Sequence, residues 1–397
     1  MENYLPLSGL KVIDLTNIIM GPYTTQLLGD LGADIIKVED VSGDMTRNIG
    51  IQKSSNMSSM FLGVNRNKRS IVLDLKKNIS KQVLWKLIKT SDVFIHNMRP
   101  NKIINLGFSP LKIKNKNKKI IFVGLYGYGK HGEYTGQPAF DDIIQGQSGL
   151  ASLYQLSKNE PIFVPSVVAD KTIGLLASTA LLSAYIKFLK TGEGSCVEIS
   201  MFEGMASYTL LEHQYGQIFL PSNDTIGYPR LLSKSRKPYK TQDGYICIMP
   251  YTDKQWFKFF EIINKKELKN DRRFSNIKAR SKVINTLYKL VEKSVRKQTN
   301  EELCKILKKN DIPHGILNTL DNLKNDKHLK KVKFFRKIKH PSEGELLLPD
   351  TGIKINNKSL PIRKHQPTLG ENSAEILKEI GYDDLEIKKI LNLSKIS

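Results

Sequence analysis

Asp170 is the residue best placed to do covalent chemistry. It ends the apolar run Val164–Asp170 (ValProSerValValAlaAsp) and opens an apolar helical stretch, Lys171–Leu189. A carboxylate at a helix N-terminus is stabilised as an anion. Apolar surroundings remove competing water, and an ionised carboxylate attacks an activated acyl group. On local sequence alone an ordinary N-cap is the stronger reading of this position, and the two readings are compatible. Upstream, Ala139–Gly146 (AlaPheAspAspIleIleGlnGly) gathers two carboxylates and a glutamine. It reads either as an acidic first helical turn or as a polar cluster facing a substrate.

Other chemistries find little support. His96, His131, His213, His314, His328, His340 and His365 form no HxH or HxxxH pair, and Cys196, Cys247 and Cys304 lack ligand spacing. No metal site is expected. Neither a GxSxG elbow nor a GxxxxGK[ST] loop occurs. Gly127–Gly132 matches GxGxxG after a strand. However, Thr135, Gly136 and Pro138 stand where a helix should open, so a dinucleotide site is not supported.

The elements that must position Asp170 are β-α alternations. Leu7–Leu15 reads as a strand, and Gly21–Pro22 as a tight turn that a ligand approaches closely. A short helix follows, then the strand Ala33–Glu39. Strands are expected at Ser70–Leu75, Asp92–Ile95, Ile120–Leu125 and Val197–Ile199. Helices are expected at Ser80–Thr90, Lys171–Leu189 and Glu203–Gln214. This pattern predicts an α/β fold with a mostly parallel sheet.

The texture changes at a polar, basic linker, Pro221–Tyr239. A smaller unit begins at Thr241, with a strand at Gly244–Met249, an amphipathic helix at Ile284–Val295 and a capping box at Thr299–Glu302. After Lys330–Pro341, Leu346–Leu348 and Gly352–Ile355 read as strands and two helices close the chain. The expected division is 1–220, 221–330 and 331–397.

The chain has 397 residues and a net charge of +23, from 62 basic and 39 acidic side chains. Fifty of the basic residues are Lys and 12 are Arg, whereas base readout favours Arg. A basic nucleic-acid-binding protein is therefore the weaker reading, and a solvated Lys-rich surface the stronger. Residues 1–60 hold four basic and seven acidic side chains, residues 61–120 fifteen and two. Within that second block Lys112–Lys119 reads as a solvated loop. Arg66, Lys68, Arg69, Lys76, Lys77 and Arg99 could serve an anionic small molecule. No apolar run reaches the ~20 residues that span a bilayer, and Met1–Leu7 has no signal-peptide character. With three scattered cysteines, a cytoplasmic protein with reduced thiols is expected.

Several segments taken in order resemble the family III CoA-transferases. They are Leu7–Thr16 with Gly21–Tyr23 and Leu28–Glu39, then Gly43–Arg47, Asn65–Ile71 and Leu73–Lys76. Asn97–Pro100, Gln145–Gly149, Val168–Asp170, Lys190–Gly194, Asp243–Ile246 and Pro367–Asn372 follow. The resemblance implies that CoA passes from an acyl-CoA to a free carboxylic acid through an aspartyl mixed anhydride and an aspartyl-CoA thioester. Asp170 is the matching aspartate. CoA contacts would come from Ile18, Ile19, Met20, Leu73, Lys76, Asn97, Met98, Arg99 and Asn105. No cofactor is bound permanently; the coenzyme A thioester is a substrate.

Asn105, Pro138 and Asp40 stand at family positions that are basic, and no glycine-rich run lies between Phe219 and Tyr245. These departures point away from oxalate or formate; a small, dicarboxylic acid is the expected class. A 2-methylacyl-CoA racemase, the alternative within the superfamily, needs a histidine where Phe140 stands. The implied fold is a Rossmann-like large domain built from both chain ends, with a smaller α+β domain inserted. An interlocked homodimer is implied as well, with no nucleic-acid or membrane partner.

Overall fold

The computed structural model describes residues 5–223 and 225–393. Met1–Tyr4, Asp224 in the expected linker and Ser394–Ser397 lie outside the described residues. The chain divides into two compact units. One comprises Met1–Leu150, Phe163–Tyr208 and Lys333–Ser397, the other Ala151–Ile162 and Thr209–Val332.

In chain order the elements through His213 are β1 (Lys11–Leu15), α1 (Met20–Asp30), β2 (Asp34–Glu39), α2 (Ser59–Val64), β3 (Lys68–Val72), α3 (Asn78–Lys89) and β4 (Val93–His96). Then follow α4 (Pro100–Asn105), α5 (Pro110–Lys116), β5 (Ile121–Tyr126), α6 (Asp141–Gln147), α7 (Ser152–Lys158), α8 (Val168–Thr191), β6 (Cys196–Ser200) and α9 (Met201–His213). The six strands form one parallel sheet in the order β3-β2-β1-β4-β5-β6.

Alternate residues of a strand face opposite sides, and both sides of this sheet are covered. Val12, Ile35, Val93 and Ile95 pack with Leu28 of α1 and Ile173, Ala177 and Leu181 of α8. Ile13, Ile36 and Phe94 pack on the other face with Val83, Leu84 and Leu87 of α3. Ile376 and Leu377 of the helix Ser373–Glu379 join them there. Leu15 pairs with His96, so β1 and β4 end side by side where the strand order reverses. In open α/β sheets a crevice opens at that switch point.

Four local expectations are corrected. Gly21 and Pro22 lie inside the first turn of α1, not in a turn before it. Lys112 and Lys114 belong to helix α5, which Ser109 caps at the Lys112 N–H. The strand over Gly352–Ile355 shrinks to Lys354–Ile355. Helix α8, at 24 residues, is long and apolar enough to cross a membrane by length and composition, although no apolar run of that size was expected. One stripe of α8 is buried on the sheet; Leu175, Leu176, Ile186 and Leu189 are exposed.

The second unit has its own core. Tyr239–Lys240, Tyr245–Ile248 and His314–Ile316 make a three-stranded antiparallel sheet. Trp256, Phe259, Phe260, Leu287 and Val291 pack with its Ile246 and Ile248. The Thr299–Glu302 capping box forms as expected, and Thr252–Gln255 adds another.

Candidate active site

Asp170 is not an N-cap. Helix α8 starts at Val168, which makes Asp170 the third helical residue. Its own N–H donates to Asp141 Oδ2 at 2.8 Å. Asp141 opens α6 and its other oxygen accepts from Gln145 Nε2 at 2.6 Å. Gln145 in turn donates to the carbonyls of Val164 and Ser166 and accepts the Val164 N–H. The Asp141–Gln145 pair thus staples Val164–Asp170 onto α6. This settles the role of the carboxylate cluster: Asp141 and Gln145 are buried supports, while Asp142 is exposed. Phe140 caps α6 in extended backbone and is also exposed.

Burial pushes the Asp170 carboxyl up to about 7, and the nearby Asp141 charge pushes the same way. The Met20 backbone N–H, at the N-terminus of α1, faces the carboxylate and draws it partly back down. Helices α1 and α8 bring these groups together at a small-residue contact. A Cβ on Gly174 would stand 3.0 Å from the Met20 carbonyl. Gly21 is required for a related reason, since its Cβ would overlap the Thr16 side chain.

A cleft of about 390 Å³ opens at the switch point between β1 and β4. Ile18, Leu73, Lys76, Asn97, Met98 and Arg99 line it together, six of the nine residues singled out for ligand contact. Ile19 and Met20 are buried at the start of α1 instead, and the Met20 N–H faces Asp170. Asn105 is exposed on α4 and does not line the cleft; Lys102, one turn earlier, does. Lys102 escaped sequence reading because it carries no motif; it is exposed on α4 and borders the cleft.

The cleft's electrostatics favour an anion. Its acids are engaged locally. Asp40 accepts from Ser42, and Asp74 accepts the Lys76 N–H and lies 3.6 Å from the Lys77 ammonium. Among the described residues, the side chains of Lys76, Arg99 and Lys102 show no ion pair. By contrast, Arg66, Lys68 and Arg69 are buried against Asp30, Asp14 and Asp34 and serve the fold rather than a ligand. A larger hollow of about 510 Å³, lined in part by Lys339, Arg363 and Lys364, contains neither Asp170 nor Ile18.

The loop between β1 and α1 joins cleft and carboxylate. Ile18 has φ +74°, a left-handed conformation that costs a β-branched residue about 1–3 kcal/mol. Asn17 is clamped from both sides by Asn97, which accepts its N–H at 3.0 Å and donates to its carbonyl at 2.7 Å. His96, beside Asn97, is held neutral: burial and then the Lys130 charge drive its pKa down to about 3. Its Nδ1 accepts the Met98 N–H and fixes the cleft wall.

Comparisons with known proteins agree in kind. The profile of CoA-transferase family III matches residues 7–373. The human succinyl-CoA:glutarate CoA-transferase is 26% identical over 397 residues, covering 99% of this chain and 90% of that protein. The formyl-CoA:oxalate CoA-transferase of Rhodopseudomonas palustris (strain BisA53) is 28% identical over 411 residues, covering 97% and 96%. A CAIB/BAIF family protein from Brucella suis superposes with a TM-score of 0.78 at 29% identity, covering 94% of this chain and 99% of that one.

Proposed function

The chain belongs to CoA-transferase family III, and from that premise we propose that it moves CoA from an acyl-CoA donor to a free carboxylic acid through Asp170. One observation carries the assignment of the residue. Ile18 lines the anion-favouring cleft, and Met20, two residues on, turns its N–H to the Asp170 carboxylate.

An Asp170 oxygen attacks the donor thioester carbonyl and expels CoA thiolate, leaving an acyl-aspartyl anhydride. The thiolate then attacks the aspartyl carbonyl, releasing the donor carboxylate and leaving an aspartyl-CoA thioester. The acceptor carboxylate displaces the thiolate again to form a second anhydride. The thiolate finally attacks the acceptor carbonyl, giving the new acyl-CoA and free Asp170. Activation is kept at each step because every leaving group is the next nucleophile or product. Hydroxylamine added with the donor should convert Asp170 to a hydroxamate that peptide mass spectrometry locates. A hydroxamate elsewhere would refute the residue.

Lys76, Arg99 and Lys102 are the proposed partners of the CoA phosphates. Each Ala substitution should raise KM for the CoA thioester about 10-fold, with kcat little changed and the difference shrinking at high salt. A lower kcat at unchanged KM would remove them from this role. A small, dicarboxylic acceptor is the favoured class, and an array of acyl-CoAs against carboxylic acids tests it. The Rossmann-like sheet of the first unit is the proposed CoA-binding domain, and the second unit the inserted small domain.

We further propose a homodimer. The exposed Leu175, Leu176, Ile186 and Leu189 on α8 form an apolar stripe that a second copy would cover. Light scattering should return twice the chain mass, and Leu176→Glu with Leu189→Glu should halve it. Three free cysteines support a reducing, cytoplasmic setting.

A further inference from the structure

The segment Gly43–Arg47 stands out in the sequence, yet none of its residues has a part in the transfer steps above. It follows β2 as a short turn ending in one helical coil, Met45–Asn48. Asp44 is 2% exposed and Arg47 0%. Buried charges are a poor way to add stability, because desolvation offsets most of the attraction. A cluster of them lining a cleft therefore calls for another explanation.

Asp44 reaches in two directions. Its Oδ1 accepts the Thr46 N–H at 2.9 Å and, across the cleft floor, the Ile18 N–H at 3.2 Å. Its Oδ2 lies 2.7 Å from the Lys37 ammonium. Lys37 also donates to the Thr16 carbonyl at 2.9 Å. One ion pair therefore grips both ends of the Thr16–Ile18 loop. Burial alone would raise the Asp44 carboxyl, but Lys37 and the Thr46 hydrogen bonds together outweigh it and hold the group below the ordinary carboxylate value.

Asn17 completes the grip. Its Oδ1 accepts the Ile18 N–H at 2.8 Å and the Met45 N–H at 2.9 Å, binding the loop to the turn. Arg47 anchors the turn from behind. Its Nε and Nη2 each lie 2.7 Å from an oxygen of Glu39, whose Oε2 also accepts the Asp44 N–H at 3.0 Å. Gly43 has φ +75°, and a Cβ there would stand 2.8 Å from Arg47 Cδ.

We propose that Asp44 and Asn17 are positioning residues: they hold Ile18 in its left-handed conformation, and that conformation aims the Met20 N–H at the Asp170 carboxylate. The inference rests on Asp170 as the nucleophile. Without the grip Ile18 relaxes to extended backbone, the Met20 N–H turns away, and Asp170 loses the interaction that favours its anion. Asp141 on α6, the charged group that also acts on Asp170, is untouched by the change.

The test uses the full chain with one donor–acceptor pair. Asp44→Ala and Asn17→Ala should each lower kcat about 10- to 100-fold, with KM for the thioester within about 3-fold. Both should also move the acid limb of the kcat–pH profile upward. In the Ile18→Gly background the left-handed conformation carries no Cβ penalty, so the loss from either variant should shrink at least about 3-fold. Asn17→Ala leaves the buried charges in place, so it reads out even where Asp44→Ala fails to fold. A parental kcat and pH profile in Asn17→Ala overturns the proposal, as does a loss that Ile18→Gly leaves undiminished. Hydroxylamine trapping in the parent chain reports on Asp170 separately: a label on another residue refutes the nucleophile, whereas a label on Asp170 with a parental kcat and pH profile in Asn17→Ala refutes only the positioning.

Discussion

Asp170→Asn should abolish transfer and, above neutral pH, make the protein more stable. The amide is isosteric but cannot form the anhydride, so the rate of CoA exchange should fall at least about 1,000-fold. The stability gain follows from linkage. Burial and the Asp141 charge raise the folded-state pKa of Asp170 from 3.8 to about 7. The unfolded chain therefore gives up the proton more readily. Stability falls as pH rises from about 4 to about 7, and the penalty is fully present above that. At about 1.4 kcal/mol per unit its ceiling is about 4 kcal/mol, and partial solvent access brings it nearer 1–3. Urea unfolding of both proteins from pH 4 to 9 should show a gap that opens through this window and then levels. A gap that is constant with pH, or of opposite sign, would refute the perturbed carboxyl. The same pKa places the acid limb of kcat near pH 7, since only the anion attacks.

Asp141→Asn should cost about 10- to 100-fold in kcat and move that acid limb downward. Both Asp141 oxygens accept hydrogen bonds, one from Gln145 and one from the Asp170 N–H. Asparagine offers a single acceptor, so one donor is left facing an NH₂ group. The segment Val164–Asp170 then loses part of its staple, and misplacement of a nucleophile by a fraction of an ångström is expensive. The shift of the limb has the other cause. Removing a like charge beside Asp170 eases its ionisation. Profiles of kcat between pH 5 and 9 separate the two effects, and a limb that stays in place or rises would show that Asp141 exerts no charge effect on Asp170.

The parallel α/β core was readable because its strands are buried on both faces. Ile121–Tyr126 is apolar throughout apart from Gly124, and runs of this kind between helical periods leave few alternatives. Asp170 stands out as a carboxylate ending an apolar stretch, but the local pattern favours a helix cap and its proposed role comes from the family resemblance. The basic block was only half readable. Arg66, Lys68 and Arg69 resemble Lys76 and Arg99 in sequence, and burial alone distinguishes a charge consumed by Asp14, Asp30 or Asp34 from one left exposed at the cleft. The helix start at Val168 was missed because no side chain caps it; the Asp170 N–H is satisfied instead by Asp141 from another helix.

Local pattern determined which segments are strands and helices and the order in which they alternate, and it singled out Asp170 as one candidate carboxylate. Those properties depend on neighbours in the chain, where periodicity and propensity act. The tertiary structure alone decided that Ile18 takes a left-handed turn, that Lys102 rather than Asn105 lines the cleft, and that Asp141 lies against Asp170 across 29 residues. These depend on how elements pack, including groups far apart in sequence that only the folded chain brings together.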